Sequence, residues 1–370
     1  KTTNAHLSAL GQILGVALTW NFLTTFRRLQ TRAIARVAPT FGNMYQKIKR
    51  IAVFTSGGDA PGMNAALRAV VRTAAHHDMT VYGIEQGYEG MIDRKFKKLE
   101  VRDVGNIIQR GGTFLKTARS ERFMTLEGRQ QAFESLKSHE IEGCIALGGN
   151  GTFTGAEAFY REHDFPIIGV PCTIDNDLYG TDYTIGFDTA VNTAVEAVDK
   201  IRDTAESHNR LFFVEVMGRN SGFLALHTAI SSGAGNVLLP EEKCSLDSLV
   251  KMLETSAKRK KMLNLVIVAE GNPIGNAHEI GKQVKARLPQ YDVRWMIIGH
   301  LQRGGAPSGF DRVLASRLGN AAVEALVDGH KNVAVGMVNH QIKLTPLSYA
   351  IKNQKELNLD LVRLAEMLAI

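Results

Sequence analysis

The run Phe165-Pro166-Ile167-Ile168-Gly169-Val170 leads straight into Pro171-Cys172-Thr173-Ile174-Asp175-Asn176-Asp177. Its apolar half reads as a strand buried on both faces, the habit of parallel sheets covered by helices. Its polar half is then a loop at the carboxyl end of that strand, where open parallel sheets collect their ligands. Two carboxylates two residues apart on such a loop can divide the work: one takes a proton while the other holds a metal. A plain turn rich in Asp and Asn accounts for the same letters, so the weight falls on what surrounds the loop.

Upstream, an apolar strand from Arg50 to Ser56 ends in Gly57-Gly58-Asp59-Ala60-Pro61-Gly62-Met63-Asn64. A second strand, Ile141 to Leu147, ends in Gly148-Gly149-Asn150-Gly151-Thr152. Helical spacing follows each, at Ala66, Val70, Val71 and Ala74 and from about Phe153 to Glu162. Glycines at a strand-to-helix turn let backbone N–H groups approach phosphate oxygens, and the helix N-terminus favours the anion. Two such turns suggest a polyphosphate lying across adjacent strand ends. Between them lie a short strand, Thr80 to Ile84, a glycine-rich loop, Gly87 to Gly90, and a loop running from Arg110-Gly111-Gly112-Thr113 to Ala118-Arg119-Ser120.

Downstream of Gly186 a long helix runs to about His208, with Val191, Ala194, Val195, Val198 and Ile201 on one face and Asp188 as a candidate cap. The strand pattern then restarts at Leu211–Val216, Val237–Leu239, Leu263–Ala269 and Val293–Ile298. A helix over about Asp311 to Leu326 and a strand over Val333 to Val338 could return to the first sheet. The rhythm predicts an α/β protein: two Rossmann-like parallel-sheet domains with the active site in the cleft between them.

The chain has 370 residues, 44% of them hydrophobic and 22% charged, which suits a globular protein of about two domains. Cys144, Cys172 and Cys244 form no CxxC and point to a reducing compartment, read as the cytoplasm. The net charge of +7 misleads. Residues 1–50 hold eight of the 44 Lys and Arg and none of the 37 Asp and Glu, so the remainder is close to neutral and no nucleic-acid surface is expected. Leu7 to Phe26 is uncharged and twenty residues long, but Ser8, Gln12, Thr19, Asn21, Thr24 and Thr25 make it a poor membrane span. A transit peptide and an upstream start, with Met44 the natural first residue, are the other readings of residues 1–43. Met44 sits just before the first structured segment, which favours the upstream start.

Taken together, Thr55–Asn64, Arg110–Thr113, Thr173–Asp177, Met217-Gly218-Arg219 and Gly299-His300-Leu301-Gln302-Arg303-Gly304-Gly305 resemble the bacterial type of ATP-dependent 6-phosphofructokinases, in the family's order and nearly at its spacing. The resemblance covers the chain from about Lys47 onward. It implies phosphoryl transfer from MgATP to the 1-hydroxyl of fructose 6-phosphate. It divides the chain into an ATP-binding domain (44–186 plus about 302–352) and a fructose 6-phosphate-binding domain (about 187–301 plus 353–370).

The match makes Asp175 the base, with Thr173 and Arg219 beside the reacting centre. Asp177 and Asn150 fall to Mg²⁺. Gly58, Arg119, Ser120 and Gly149, Asn150, Gly151 and Thr152 fall to the ATP phosphates. Thr173, Asp175, Met217, Gly218, Arg219, Glu270 and His300 face the sugar phosphate, and Arg210, Arg294 and Arg303 supply its cationic pocket. In that family the counterparts of Arg210 and Arg294 reach into a neighbouring subunit's site, which implies a homotetramer with shared sites.

Three departures stand out. Asn150 replaces the aspartate usual in ATP-dependent members. Cys172 replaces a glycine common in them, although neither the Lys nor the Asp (at Gly151) typical of pyrophosphate users is present. Arg68, Arg72, Arg202 and Lys261 fit the family's nucleotide effector site, but Val101 and Gly235 stand where an Arg and a Glu are usual, so effector control by ADP or phosphoenolpyruvate is open. The rival readings are a pyrophosphate-dependent relative, a weakly catalytic sugar-phosphate-binding subunit, and a lipid or NAD kinase. The Met217–Arg219 and His300–Gly305 segments weigh against the last of these.

Overall fold

The computed structural model describes residues 48–369, apart from 209, 243 and 259–264. The readings of residues 1–43 and of Lys261 lie outside the described residues. The chain begins with β1 (Arg50–Thr55), α1 (Met63–His76), β2 (Thr80–Ile84), α2 (Gly87–Ile92) and β3 (Phe96–Leu99). Next come α3 (Leu126–Ser138), β4 (Gly143–Gly148), α4 (Asn150–His163), β5 (Ile167–Pro171) and α5 (Phe187–His208). The second run is β6 (Arg210–Val216), α6 (Phe223–Ser232), β7 (Asn236–Leu238), α7 (Leu246–Lys258), β8 (Leu265–Ala269), α8 (Ala277–Arg287) and β9 (Asp292–Ile297). The chain closes with α9 (Gly309–Val327), β10 (Val333–Val338), β11 (Gln341–Pro346), α10 (Leu347–Lys352) and α11 (Leu359–Leu368).

Among the described residues the strands form two sheets. One has seven strands in the order β11-β10-β5-β4-β1-β2-β3, and the other has four in the order β7-β8-β6-β9. Strand β10 does return to the first sheet, beside β5. The all-parallel expectation fails only at that sheet's edges, where β3 and β11 run antiparallel. Both are joined to their neighbours by connections too short for a crossover, so they turn back as hairpins do. At the β3 edge, exposed Lys97 and Lys98 discourage pairing with another chain.

The central strands β1, β4, β5 and β8 are buried along nearly their whole length, which is why they read as unbroken apolar runs. One hydrophobic cluster runs from Ile51 and Val170 through Ala194 and Val198 on α5 to Val214 and Leu265 of the second sheet. Each such buried Val, Leu or Ile side chain contributes about 1.5–3 kcal/mol. An exposed ion pair contributes about 0–1, so apolar packing through α5 dominates the joining of the two sheets.

Two local expectations are corrected. Asp188 does not cap α5: it lies in the helix's first turn, where its carboxylate accepts from Ser308 Oγ and Asn192 Nδ2. The capping group comes from α9. Buried Asp311 accepts Gly186 N–H and Thr189 N–H, each at 2.9 Å, so the two helix N-termini share one carboxylate. The segment Gly87–Gly90 is no loop but the start of α2. Gly90 is needed there because a Cβ would stand 1.6 Å from the Glu85 carbonyl.

Candidate active site

Register builds the site. Thr55 pairs with Leu147, and Gly148 with Pro171, so the ends of β1, β4 and β5 finish level. Two hydrogen bonds carry the alignment past the strands: Ser56 N–H to the Leu147 carbonyl at 3.0 Å and Cys172 N–H to the Gly148 carbonyl at 2.9 Å. The three exits, Ser56–Gly58, Gly149–Thr152 and Thr173–Asp177, therefore stand side by side. They line a cavity of about 720 Å³ together with Arg119, Ser120, Arg219 and Arg303. Helix α4 starts at Asn150, earlier than the expected Phe153, so the glycine-rich turn is itself the helix's first turn. Its unpaired N–H groups and positive dipole end face the cavity's anion position.

Asp175 sits at the floor, 6% exposed. Its Oδ1 is buried without a hydrogen-bond partner, and its Oδ2 lies 4.0 Å from Arg219 Nε. Burial, then the neighbouring Asp177, push its carboxyl above the ordinary range, against the pull of Arg219 and Arg303. Burial also raises Asp177, whose Oδ2 accepts Asn150 Nδ2 at 2.8 Å. Between the two, Asn176 takes a left-handed φ of 53°, which Asn tolerates better than most residues. That twist turns both neighbouring carboxylates toward the cavity side. The Asn176 side chain then locks the turn, accepting Thr184 N–H at 2.9 Å.

Arg303 does not lie with the second sheet's polar residues, where the sugar-phosphate assignment would put it. Its Nη1 donates to the Asp59 carbonyl at 3.0 Å, in the larger cavity. A Cβ on Gly58 would come within 2.4 Å of that nitrogen, so glycine at 58 is what lets the guanidinium in. Arg119 is exposed and makes no hydrogen bond or ion pair among the described residues. Ser120 Oγ donates to Glu89 Oε2, and Glu89 also pairs with Arg122.

The ends of β6, β8 and β9 make a second, smaller cavity of about 170 Å³, lined by Met217, Glu270, Ile297, Gly299 and His300. Arg219 joins the two cavities: its side chain reaches Asp175, and its N–H donates to Glu270 Oε2 at 3.0 Å. Gln302 holds this corner by accepting Met217 N–H at 2.9 Å. Arg210 and Arg294 are not part of it. Arg210 opens β6, and six residues of strand at about 3.3 Å each put it roughly 20 Å from the Met217 end. Both pair there with Asp292, Arg210 Nε at 2.9 Å and Arg294 Nη2 at 3.2 Å. Of the effector set, Arg68 and Arg72 lie on α1, and Arg202 on α5 donates to the Ser232 carbonyl. No hydrogen bond or ion pair among the described residues joins these three.

Sequence reading missed several residues. Tyr88, Phe123, Met124 and Ala158 line the larger cavity. The Tyr88 hydroxyl donates to the Thr152 carbonyl at 2.6 Å while its ring stacks on Phe123, centroids 3.9 Å apart. Only an aromatic two positions before a glycine hinted at this.

Among the described residues, no group of three or more His, Cys, Asp or Glu could hold a metal unaided. Mg²⁺, however, usually takes one or two carboxylates and completes its shell with water and substrate phosphates. Asp177, whose carboxylate lines the cavity beside Asn150, fits that requirement.

The phosphofructokinase family profile matches residues 50–326. The chain belongs to the phosphofructokinase family. It is 54% identical over 323 residues to the ATP-dependent 6-phosphofructokinase 1 of Thermus thermophilus, covering 87% of this chain and all of that one. It is 52% identical to the ATP-dependent 6-phosphofructokinase of Cytophaga hutchinsonii, covering 87% of this chain and 98% of the relative. The phosphofructokinase structure from Saccharomyces cerevisiae superposes with a TM-score of 0.75 at 37% identity, over 82% of this chain and 45% of the yeast chain. The family's sheets and cleft are thus those described here. No helix among the described residues is long and apolar enough to cross a membrane.

Proposed function

We propose that this phosphofructokinase transfers the terminal phosphoryl group of ATP to the 1-hydroxyl of fructose 6-phosphate, yielding fructose 1,6-bisphosphate and ADP. The observation that carries the reading is identity above 50% over essentially the full length of relatives named ATP-dependent 6-phosphofructokinase. The cleft supplies what the chemistry needs: positioning, charge neutralisation and a base.

In this reading Asp175 is the base. Its Oδ1 receives the hydroxyl proton as the sugar oxygen bonds to phosphorus and the bond to the ADP oxygen breaks. Burial raises its pKa above the ordinary carboxylate range, which makes it a better proton acceptor. The N–H groups of the Gly149–Thr152 turn, with Gly58 and Ser120 beside them, cradle the nucleotide phosphates. Arg119 and Arg303 offset their charge. Arg219 spans the donor and acceptor halves of the site, next to Thr173. Asp177 and Asn150 would hold Mg²⁺, which when bound neutralises phosphate charge and orients the nucleotide. Met217, Gly218, Glu270 and His300 grip the sugar.

The assembly is read as a homotetramer that shares its sites. Two features support this. Arg210 and Arg294 stand far from their own chain's Glu270 and His300. Strand β9 is a sheet edge whose Trp295, Met296 and Ile297 are 40%, 37% and 53% exposed, apolar surface suited to a second copy. The division into a nucleotide domain (44–186 with about 302–352) and a sugar domain (about 187–301 with 353–370) is our reading too, supported by which sheet each strand joins. Effector binding at Arg68, Arg72 and Arg202 and a cytoplasmic location belong to the same reading.

The donor is taken as ATP. Open space surrounds Gly151, with no heavy atom within 4 Å of a Cβ built there. Cys172 is buried and its thiol pushed up by burial, so it brings no charge to the phosphate site. A coupled assay with fructose 6-phosphate, run with ATP and then with pyrophosphate at matched Mg²⁺, tests the reading. Faster turnover with pyrophosphate would reverse the donor, and none with either would leave a sugar-phosphate-binding subunit.

A further inference from the structure

Lys355 lies between α10 and α11 in the C-terminal segment, in none of the motifs above, and lines neither cavity. Its neighbours tie it to the acidic turn all the same. Nζ donates to the Asp182 carbonyl at 2.6 Å. That carbonyl also accepts Asn176 Nδ2 at 3.3 Å, so lysine and asparagine converge on one oxygen. Thr184 N–H donates to Asn176 Oδ1, and Thr184 Oγ1 donates to the Thr173 carbonyl at 2.6 Å. The residue before the lysine, Gln354, forms an isolated antiparallel bridge with Leu178. Nζ also stands 4.9 Å from the ring centroid of Phe223, the first residue of α6.

Resting on the phosphoryl-transfer reading, we propose that Lys355 is a positioning residue for that reaction: by anchoring the Asp182 carbonyl it fixes Asn176, and so the placing of Asp175 and Asp177. The left-handed Asn176 is the one residue between the two carboxylates. A rotation there would swing both of them. Three contacts hold its side chain, two from Thr184 to Oδ1 and one from Nδ2 to the Asp182 carbonyl, and that carbonyl is held from outside by the ammonium. A charged donor makes a hydrogen bond roughly twice as strong as a neutral one. Partial burial pushes the Lys355 pKa down to about 8, with Asp182 and then Asp177 opposing that shift.

The test compares Lys355→Met, Lys355→Arg and, as a control at an exposed neighbouring position, Lys352→Met. Steady-state rates with ATP and fructose 6-phosphate are read beside amide hydrogen exchange of residues 173–184 in the ligand-free protein. A misplacement of about 1 Å can cost on the order of 100-fold in rate. Lys355→Met should therefore lower kcat by about tenfold or more while both KM values stay within about threefold. Exchange should quicken in 173–184 and not elsewhere. Lys355→Arg should recover most of kcat, and Lys352→Met should match wild type. A Lys355→Met enzyme within about twofold of wild-type kcat, or one with unchanged exchange in 173–184, would overturn the proposal. So would a loss that fell on KM alone. If Lys355→Met does not fold, Lys355→Ala, which also removes the donor to the carbonyl, is held to the same thresholds. If wild type itself does not phosphorylate fructose 6-phosphate, the functional reading fails, and the exchange data alone decide the role of Lys355.

Discussion

The carboxyl ends of the two sheets make an instructive pair. At the seven-stranded sheet, three level strand exits bring Asp175, two glycine-rich turns and the guanidinium groups of Arg119, Arg219 and Arg303 together within one chain. At the four-stranded sheet, Met217, Glu270 and His300 meet around a cavity less than a quarter of that size, and the arginines expected there stand at the strands' other end. The first half is complete by itself; the second is a wall without its cations. The difference teaches that chemistry and acceptor recognition are built at different levels. On our proposal, one comes from turns within a chain, the other from an edge strand offered to a neighbour.

The sharpest contrast should come from one variant on each side. Asp175→Asn removes the proposed base without touching the wall proposed to grip the sugar. We expect kcat to fall by about 10²–10⁴-fold or more, with little change in the fructose 6-phosphate KM. A variant keeping more than about a tenth of wild-type kcat would take Asp175 out of the role.

The same substitution should raise the melting temperature of the ligand-free protein at neutral pH. The folded pKa of Asp175 is raised, so the unfolded chain gives up this proton first as pH rises. Stability from this group is present below the ordinary carboxylate pKa of about 3.9 and lost as pH climbs through the folded value. At neutrality the buried charge is a net cost that asparagine relieves. A lower melting temperature at pH 7, measured by calorimetry, would contradict this.

On the other side, Arg210→Ala and Arg294→Ala should leave kcat nearly intact and raise the fructose 6-phosphate KM. A hydrogen bond to a charged group is worth about 1.5–3 kcal/mol, so the rise should be roughly 10–100-fold. An unchanged KM would mean that the two arginines serve only Asp292.

The smallest effect is expected at Asn150. Asn150→Asp would replace the amide donor facing Asp177 with a carboxylate that repels it until a cation arrives. The Mg²⁺ concentration for half-maximal rate should fall several-fold, with the fructose 6-phosphate KM unchanged. A higher Mg²⁺ requirement would place Asn150 outside the metal's reach.

Legibility in the sequence followed the same divide. The exits at Ser56–Gly58, Gly149–Thr152 and Thr173–Asp177 could be read because glycines, acids and apolar runs are neighbours in the chain. Their alignment was implied by strand periodicity alone. What stayed hidden depends on distant partners. Asp311 caps a helix that begins more than a hundred residues earlier, and no local signal at Phe187 announces it. Arg303 looked like one more member of an arginine set until the missing Cβ of Gly58 showed where its guanidinium fits. Lys355 sits in a polar, unpatterned segment, and only the Asp182 carbonyl gives it meaning. The antiparallel edges β3 and β11 escaped because both mix Lys with apolar residues and carry no glycine-rich exit; β3 does not alternate at all.

Subunit mixing tests the contrast most directly. Asp175→Asn protein keeps its arginines, and Arg294→Ala protein keeps its base. Co-refolded in equal amounts, paired copies that exchange arginines across a two-fold interface would rebuild intact sites, about a quarter of the total by random pairing. The account predicts that activity at low fructose 6-phosphate rises well above the sum of the two parents, toward that fraction of wild type. Activity no greater than that sum, with subunit exchange shown by mass spectrometry, would mean that each chain holds its whole site and that the four-stranded half needs no neighbour.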